Sequence, residues 1–234
     1  LGHEAGLSIL WGDGARGYPS RADIAWAVSP GFSKPVAYAI DLDADSDLDL
    51  LATSLGPQDV RLYQPFLNEQ NRTFSLGPPD PFEGHGRIVR VLDADGDGDS
   101  DFLFAELNHV LLNDGGLQYS PGPAWPIATS LYQGYWVTGD WNGDGRADLA
   151  VVRKLTDHCQ IEYCNSDVAF EILINEGDHF VTSQWLSLIK WPDGAQAADL
   201  DADADLDLIV PLTEYSDYDG SLFSGKDVAI YLND

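Results

Sequence analysis

Apolar residues along the chain fall in short runs rich in Val, Ile, Leu and aromatics, and no helical period of 3.6 is sustained. The runs recur in one order. A first run precedes each of four polar clusters: Val36 to Ile40, Arg87 to Leu92, Tyr135 to Thr138 and Ala195 to Ala198. A second follows each cluster: Leu50 to Thr53, Phe102 to Ala105, Leu149 to Val152 and Leu208 to Leu212. A third comes next: Val60 to Tyr63, Val110 to Asn113, Ile172 to Asn175 and Val228 to Leu232. Two of these run into hairpin signals, Asn113 to Gly116 and Asn175 to Gly177. A weaker fourth run follows three of them: Thr73 to Ser75, Leu117 to Tyr119 and His179 to Val181. The order predicts strands A, B, C and D in each repeat. The start of the chain fits the same register, with Leu7 to Trp11 as a C strand, and Gly17-Tyr18 with Ile24 to Trp26 as a D strand.

The clusters begin at Asp41, Asp93, Asp140 and Asp199, at intervals of 52, 47 and 59 residues. Such spacing suits one four-stranded sheet per repeat. The expected fold is all-β: a β-propeller, or a segment of one, built from four-stranded antiparallel blades with a metal loop between the first two strands of each blade. Its repeats are about 1–35 (partial and degenerate), 36–86, 87–132, 133–194 and 195–234 (partial). A C strand at both ends means that equal blades cannot use every strand. The chain is therefore read as a ring with a supplementary edge strand, or as part of a longer polypeptide.

Counted from its first Asp, each cluster has an oxygen-bearing side chain at positions 1, 3, 5 and 9. These are Asp41, Asp43, Asp45 and Asp49; Asp93, Asp95, Asp97 and Asp101; Asp140, Asn142, Asp144 and Asp148; and Asp199, Asp201, Asp203 and Asp207. Alternating residues of a tight loop turn three such groups inward, and a fourth at the start of the next strand closes the shell in bidentate fashion. Position 7 is expected to add its backbone carbonyl, from Asp47, Asp99, Arg146 and Asp205; the arginine shows that its side chain need not be anionic. A shell of six to eight oxygens suits calcium. Magnesium prefers fewer carboxylates and more water, and zinc and copper want His or Cys, which these loops lack. An EF-hand would need Glu at position 12 and flanking helices. About four Ca2+ ions are expected. Asp-rich turns that bind nothing are a poor account of four copies with identical spacing.

Charge strengthens this reading. The chain has 39 Asp and Glu against 12 Lys and Arg, a net charge of −27, and the acids are concentrated in the clusters. Nucleic acid and anionic membranes are poor partners for such a chain, and no apolar run approaches the roughly 20 residues of a membrane span. The chain begins at Leu1 and contains no Met, which suits a processed end with any signal peptide removed. Cys159 and Cys164 are read as a local disulfide in an oxidising compartment. Asn71 to Thr73 matches a glycosylation sequon.

The pattern DxDxDGxxD resembles the calcium loops of FG-GAP and VCBS-type repeats, as in integrin α-subunit propellers and many bacterial secreted proteins. Asp93 to Asp101 and Asp140 to Asp148 match best, and the resemblance covers about residues 35–234. It implies a propeller blade with its calcium loop between the first two strands. Two loops depart at position 6, usually Gly, with Ser46 and Ala204; a positive φ there would strain them and weaken their sites.

No GxSxG, HExxH or phosphate-loop motif is present, and the five His (3, 85, 109, 158 and 179) are scattered, so an enzyme is not expected. The expected function is a secreted or cell-surface calcium-binding module for adhesion, assembly or ligand binding. The alternatives are a calcium-dependent lectin and the non-catalytic propeller of a larger secreted enzyme. A protein or glycan ligand is expected, and self-association through open sheet edges. Aromatics for a ligand face are Trp125, Tyr132, Tyr135, Trp136, Trp185 and Trp191, with His109 nearby; the plainer role for the Trp residues is to wedge blades together.

Overall fold

In the computed structural model, the residues described are 5–14, 17–26, 33–56, 61–70, 72–78, 81–82, 85–125, 131–160, 163–188, 191–213 and 226–233. All regular elements among them are strands. Strands β1 (Ala5–Trp11) and β2 (Ser20–Trp26) form an antiparallel hairpin. Strands β3 (Ser33–Ile40), β4 (Asp49–Leu55), β5 (Arg61–Asn68) and β6 (Phe74–Leu76) form a sheet in sequence order. So do β7 (Ile88–Leu92), β8 (Asp101–Phe104), β9 (His109–Asn113) and β10 (Tyr119–Ala124). The third such sheet is β11 (Leu131–Gly139), β12 (Asp148–Gln160), β13 (Tyr163–Asn175) and β14 (Phe180–Leu188). The last contains β15 (Trp191–Pro192), β16 (Gln196–Ala198), β17 (Asp207–Thr213) and β18 (Lys226–Tyr231).

The expected A-B-C-D order is thus present in three sheets. In the last, β15 and β16 pair with different ends of β17, and β18 pairs with β17 as well. These two short strands are one A strand broken around Gly194, whose φ of +122° needs a residue without Cβ. Several strands are longer than their apolar runs. Strands β12 and β13 pair from Leu149 opposite Leu173 out to Gln160 opposite Tyr163, so a polar segment continues the hairpin. Backbone ladder bonds do not depend on side-chain polarity, which is why the apolar pattern marked only the buried base of this arm.

The chain forms two compact units, residues 1–87 with 113–119, and residues 88–112 with 120–234. In the first, Leu7 and Ile24 of the hairpin, with Leu50 and Phe74, pack on buried Ala52 and Phe66. Trp11 stacks on Phe74 with ring centroids 6.4 Å apart, and the Arg72 guanidinium lies over the Trp11 ring. In the second unit, one core joins Leu92, Leu103 and Val110 to Leu149, Val151 and Leu173, with Trp125 edge-on to Trp136 at 5.2 Å. Another joins Val152, Phe170 and Leu188 to Leu208, Val210 and Leu212. Alternate residues of β12 feed the two cores, Leu149 and Val151 on one face and Ala150 and Val152 on the other, so this strand is buried on both faces.

One ion pair sits inside the third sheet. Arg153 and Glu171 are 4% and 5% exposed, and Glu171 also accepts a hydrogen bond from Thr182. Glu171→Leu leaves a buried guanidinium without its carboxylate and is expected to destabilise the protein by about 3–5 kcal/mol. Urea unfolding measures this; a loss below about 1 kcal/mol would contradict it.

Candidate metal centres

Each acidic cluster is a loop from the end of an A strand to the first residue of a B strand. Position 9 opens the B strand in all four: Asp49, Asp101, Asp148 and Asp207. Position 1 is the hub. One oxygen of Asp140 accepts the N–H of Gly143 at 2.7 Å, and the other that of Gly145 at 2.8 Å. Asp41 holds Ala44 and Ser46, Asp93 holds Gly96 and Gly98, and Asp199 holds Ala202 and Ala204 in the same way. Position 5 folds over position 7: Asp45, Asp97, Asp144 and Asp203 each accept the N–H two residues on. Wrapping the backbone round the position-1 carboxylate requires left-handed residues at positions 4 and 6. All eight have positive φ, including the non-glycines Ala44 (64°), Ser46 (72°), Ala202 (67°) and Ala204 (81°).

This geometry sets a test of the glycines. At Gly96 an added Cβ would lie 3.2 Å from the Gly145 carbonyl oxygen, whereas at Gly143 it would meet nothing within 4 Å. Both carry the left-handed strain of about 1–2 kcal/mol. Gly96→Ala is therefore expected to be the more destabilising, and Ala204→Gly to stabilise by about 0.5–1 kcal/mol. Differential scanning calorimetry of the three variants decides; equal costs at Gly96 and Gly143 would exclude the close approach as a factor.

Position 9 has a role that its spacing did not reveal. These aspartates are 0–1% exposed. One oxygen of each accepts the N–H of position 2: Leu42, Ala94, Trp141 or Leu200. The other, in Asp49, Asp148 and Asp207, accepts the N–H of an asparagine that ends the C strand, Asn68 or Asn175, or stands two residues past it, Asn233. Position 9 thus pins loop to sheet, and its second lone pairs are what a cation would use. In the sequence Asn113 and Asn175 stand at the ends of C runs, but the bond of such asparagines to position 9 left no mark there, because they stand at varying distances from the clusters.

The carboxylates converge. Oxygens of Asp41, Asp43 and Asp45 lie within 4.8 Å of one another, as do those of Asp93, Asp95 and Asp101, and of Asp199, Asp201 and Asp203. Burial, then the charges of Asp45 and Asp41, raises the pKa values of Asp43 and Asp47. Burial likewise raises Asp49, Asp95 and Asp201, and pushes Asp148 up to about 6. Oδ1 of Asp43 is shut off from solvent without a hydrogen-bond donor. An oxygen so placed asks for a cation, so the donor set fits a hard divalent ion.

The Asp140 loop differs. Its position 3 is neutral Asn142, which donates to Asp144, and the Arg146 guanidinium reaches Asp144 at 2.6 Å and the Asn175 carbonyl. The Arg146 backbone N–H, first of several contacts, holds Asp144 below the usual carboxylate range. This loop carries its own counter-charge.

The other sequence-predicted residues are spread out. Cys159 and Cys164 stand directly opposite in the β12–β13 ladder; their side chains lie outside the described set. Asn71, His3 and the side chains of His158, Tyr132, Tyr135 and Trp191 also lie outside it. Trp125 and Trp136 are buried core residues, the wedge role, while Trp185 is 47% exposed. Among the described residues no His lies in an acidic loop. A groove of about 410 Å³ is lined by Trp141, Asn142, Ser183, Gln184, Tyr231 and Asn233 over an aliphatic floor, with no charged side chain among the described residues that line it.

Residues 93–151, which span the second and third loops, match the FG-GAP-like repeat family. No curated protein matches the chain.

Proposed function

We propose, for a chain that carries an FG-GAP-type repeat over residues 93–151, that each of the four acidic loops holds one calcium ion and that calcium is structural. The observation that carries this is the solvent-shielded Asp43 oxygen without a donor, in a loop whose hub geometry recurs in all four copies. Positions 1, 3, 5 and 9 would supply side-chain oxygens, and Asp47, Asp99, Arg146 and Asp205 a backbone carbonyl. Bound calcium supplies the positive charge that makes convergent carboxylates compatible with a fixed loop. The chain's own hydrogen bonds orient those carboxylates before any ion arrives. Calorimetric titration of chelator-treated protein is expected to give about four sites in more than one affinity class, the glycine-bearing Asp93 and Asp140 loops being tighter. Absence of calcium binding would refute the reading, and a single class would remove the distinction between loops.

In this reading the four-stranded sheets are propeller blades, and the whole is a non-catalytic extracellular module for adhesion, assembly or ligand binding, secreted or displayed as part of a larger chain. Millimolar extracellular calcium suits loops of this kind. The proposal includes self-association through sheet edges: β18 exposes Val228 and Ile230, and Leu232 just beyond its end is exposed as well. Sedimentation with calcium present tests it, since a strict monomer excludes it. The groove, whose described lining carries no charge in a chain of net charge −27, favours a second reading, in which a neutral glycan stacks on Trp141 or Tyr231. A glycan array is the test, and loss of any hit on Trp141→Ala would place the ligand in the groove.

A further inference from the structure

Within the second unit, the Asp93 and Asp140 loops share a peptide group and a side chain. The carbonyl of Arg146 is the position-7 oxygen of the Asp140 loop. The N–H of the same peptide, on Ala147, donates to the carbonyl of Asp93, the hub of the other loop, at 2.7 Å. Asn175, fully buried, spans the same junction. Its Nδ2 donates to the Ala94 carbonyl in one loop at 2.7 Å and to the Ala147 carbonyl in the other at 3.2 Å. Its own N–H is held by Asp148, and its carbonyl by Arg146. Asn233 repeats the link one loop further on, donating to the Trp141 carbonyl at 3.1 Å while Asp207 holds its N–H.

We propose that Asn175, with Asn233 as its counterpart one loop further on, is a positioning residue that couples neighbouring metal loops, so that an ion in the Asp93 loop raises the affinity of the Asp140 loop, and the reverse. This rests on the metal-binding reading of the loops. The physical reason is twofold. An ion on the Arg146 carbonyl polarises that peptide and strengthens the bond its N–H makes to Asp93. An ion in either loop also fixes carbonyls that Asn175 holds in common, so the second loop loses less conformational freedom on binding. Linkage makes the effect reciprocal, and coupling of this type amounts to at least about fivefold in affinity.

Terbium is the probe, as an oxygen-seeking stand-in for calcium whose emission is sensitised by a nearby indole. Trp141 stands at position 2 of the Asp140 loop, where the other loops have Leu42, Ala94 and Leu200. The emission removed by Trp141→Phe therefore reports this loop. Asp95→Asn with Asp97→Asn disables the Asp93 loop. In protein with Asn175 intact, this pair is expected to weaken terbium binding at the Asp140 loop by about fivefold or more. In Asn175→Ala protein the same pair is expected to change it by less than about twofold. An Asp140-loop affinity unaffected by the disabled neighbour, in folded protein with Asn175 intact, overturns the coupling; this comparison stands even if Asn175→Ala does not fold. An equal loss with and without Asn175 overturns the assignment to that residue. Wild-type protein that binds neither terbium nor calcium would instead refute the metal reading itself.

Discussion

Excess EDTA added to the calcium-loaded protein is expected to lower its unfolding midpoint by about 20 °C or more. At a hundredfold excess over its dissociation constant, an ion contributes about 2.7 kcal/mol per loop, and a domain of this size shifts by about 2–4 °C per kcal/mol. Removing the ions also exposes the repulsion they offset. The Asp41, Asp93 and Asp199 loops each hold five aspartates, whereas the Asp140 loop holds three and an arginine. The ion-free Asp140 loop should therefore keep the least uncompensated repulsion of the four. The metal-free protein should also invert the usual pH trend. Asp148 has its folded pKa raised by burial to about 6, above 3.8, so folding favours its protonated form. That contribution is fully present below about pH 4 and is lost as pH rises through about 6. Asp49 and Asp95 shift in the same direction. EDTA-treated protein should melt higher at pH 5 than at pH 7.5, and calcium-loaded protein lower, because protons compete with the ion. A midpoint indifferent to EDTA at pH 7.5 would remove calcium from the account of stability.

Asp148→Ala is expected to be the most damaging single substitution in the loops. It removes a fully buried carboxylate whose oxygens accept the N–H groups of Trp141 and Asn175 at 2.9 and 2.8 Å. Each donor left without a partner costs about 1–3 kcal/mol, so the loss is about 2–6 kcal/mol. The cost should persist in EDTA, because these bonds do not involve a metal. Asp144→Ala is the contrast. Its side chain lies on the exposed rim of the loop, and its loss should act chiefly through metal affinity. Denaturant unfolding of both variants, with and without calcium, separates the two roles. If the Asp148 cost vanished in EDTA, position 9 would be a ligand alone.

Much of this architecture is legible in the chain because it is local. An apolar run, an acidic loop and a second apolar run define an A–B hairpin within some twenty residues, and its four copies announce themselves by spacing. Strands β4, β8, β12 and β17 each begin at the aspartate that closes the acidic cluster, DxDxDxxxD in three copies and DxNxDxxxD before β12. Even the left-handed residues are foreshadowed by glycine at Gly96, Gly98, Gly143 and Gly145, though Ala44 and Ala204 adopt the same φ and hide it. The polar arm of β12 and β13 was not legible, since its ladder is made by backbone groups that carry no compositional mark.

The sequence by itself determined the repeat, the strand order around each loop and the inward set of carboxylates, because each follows from residues close enough to meet without the rest of the fold. Only the tertiary structure decided that Asp148 serves the N–H of Asn175, twenty-seven residues away, and that Asn175 reaches Ala94, eighty-one residues away. Those bonds form between strands and between repeats. Their partners are chosen by which buried donors and acceptors the packed sheets leave facing one another, and no pattern along the chain records that choice.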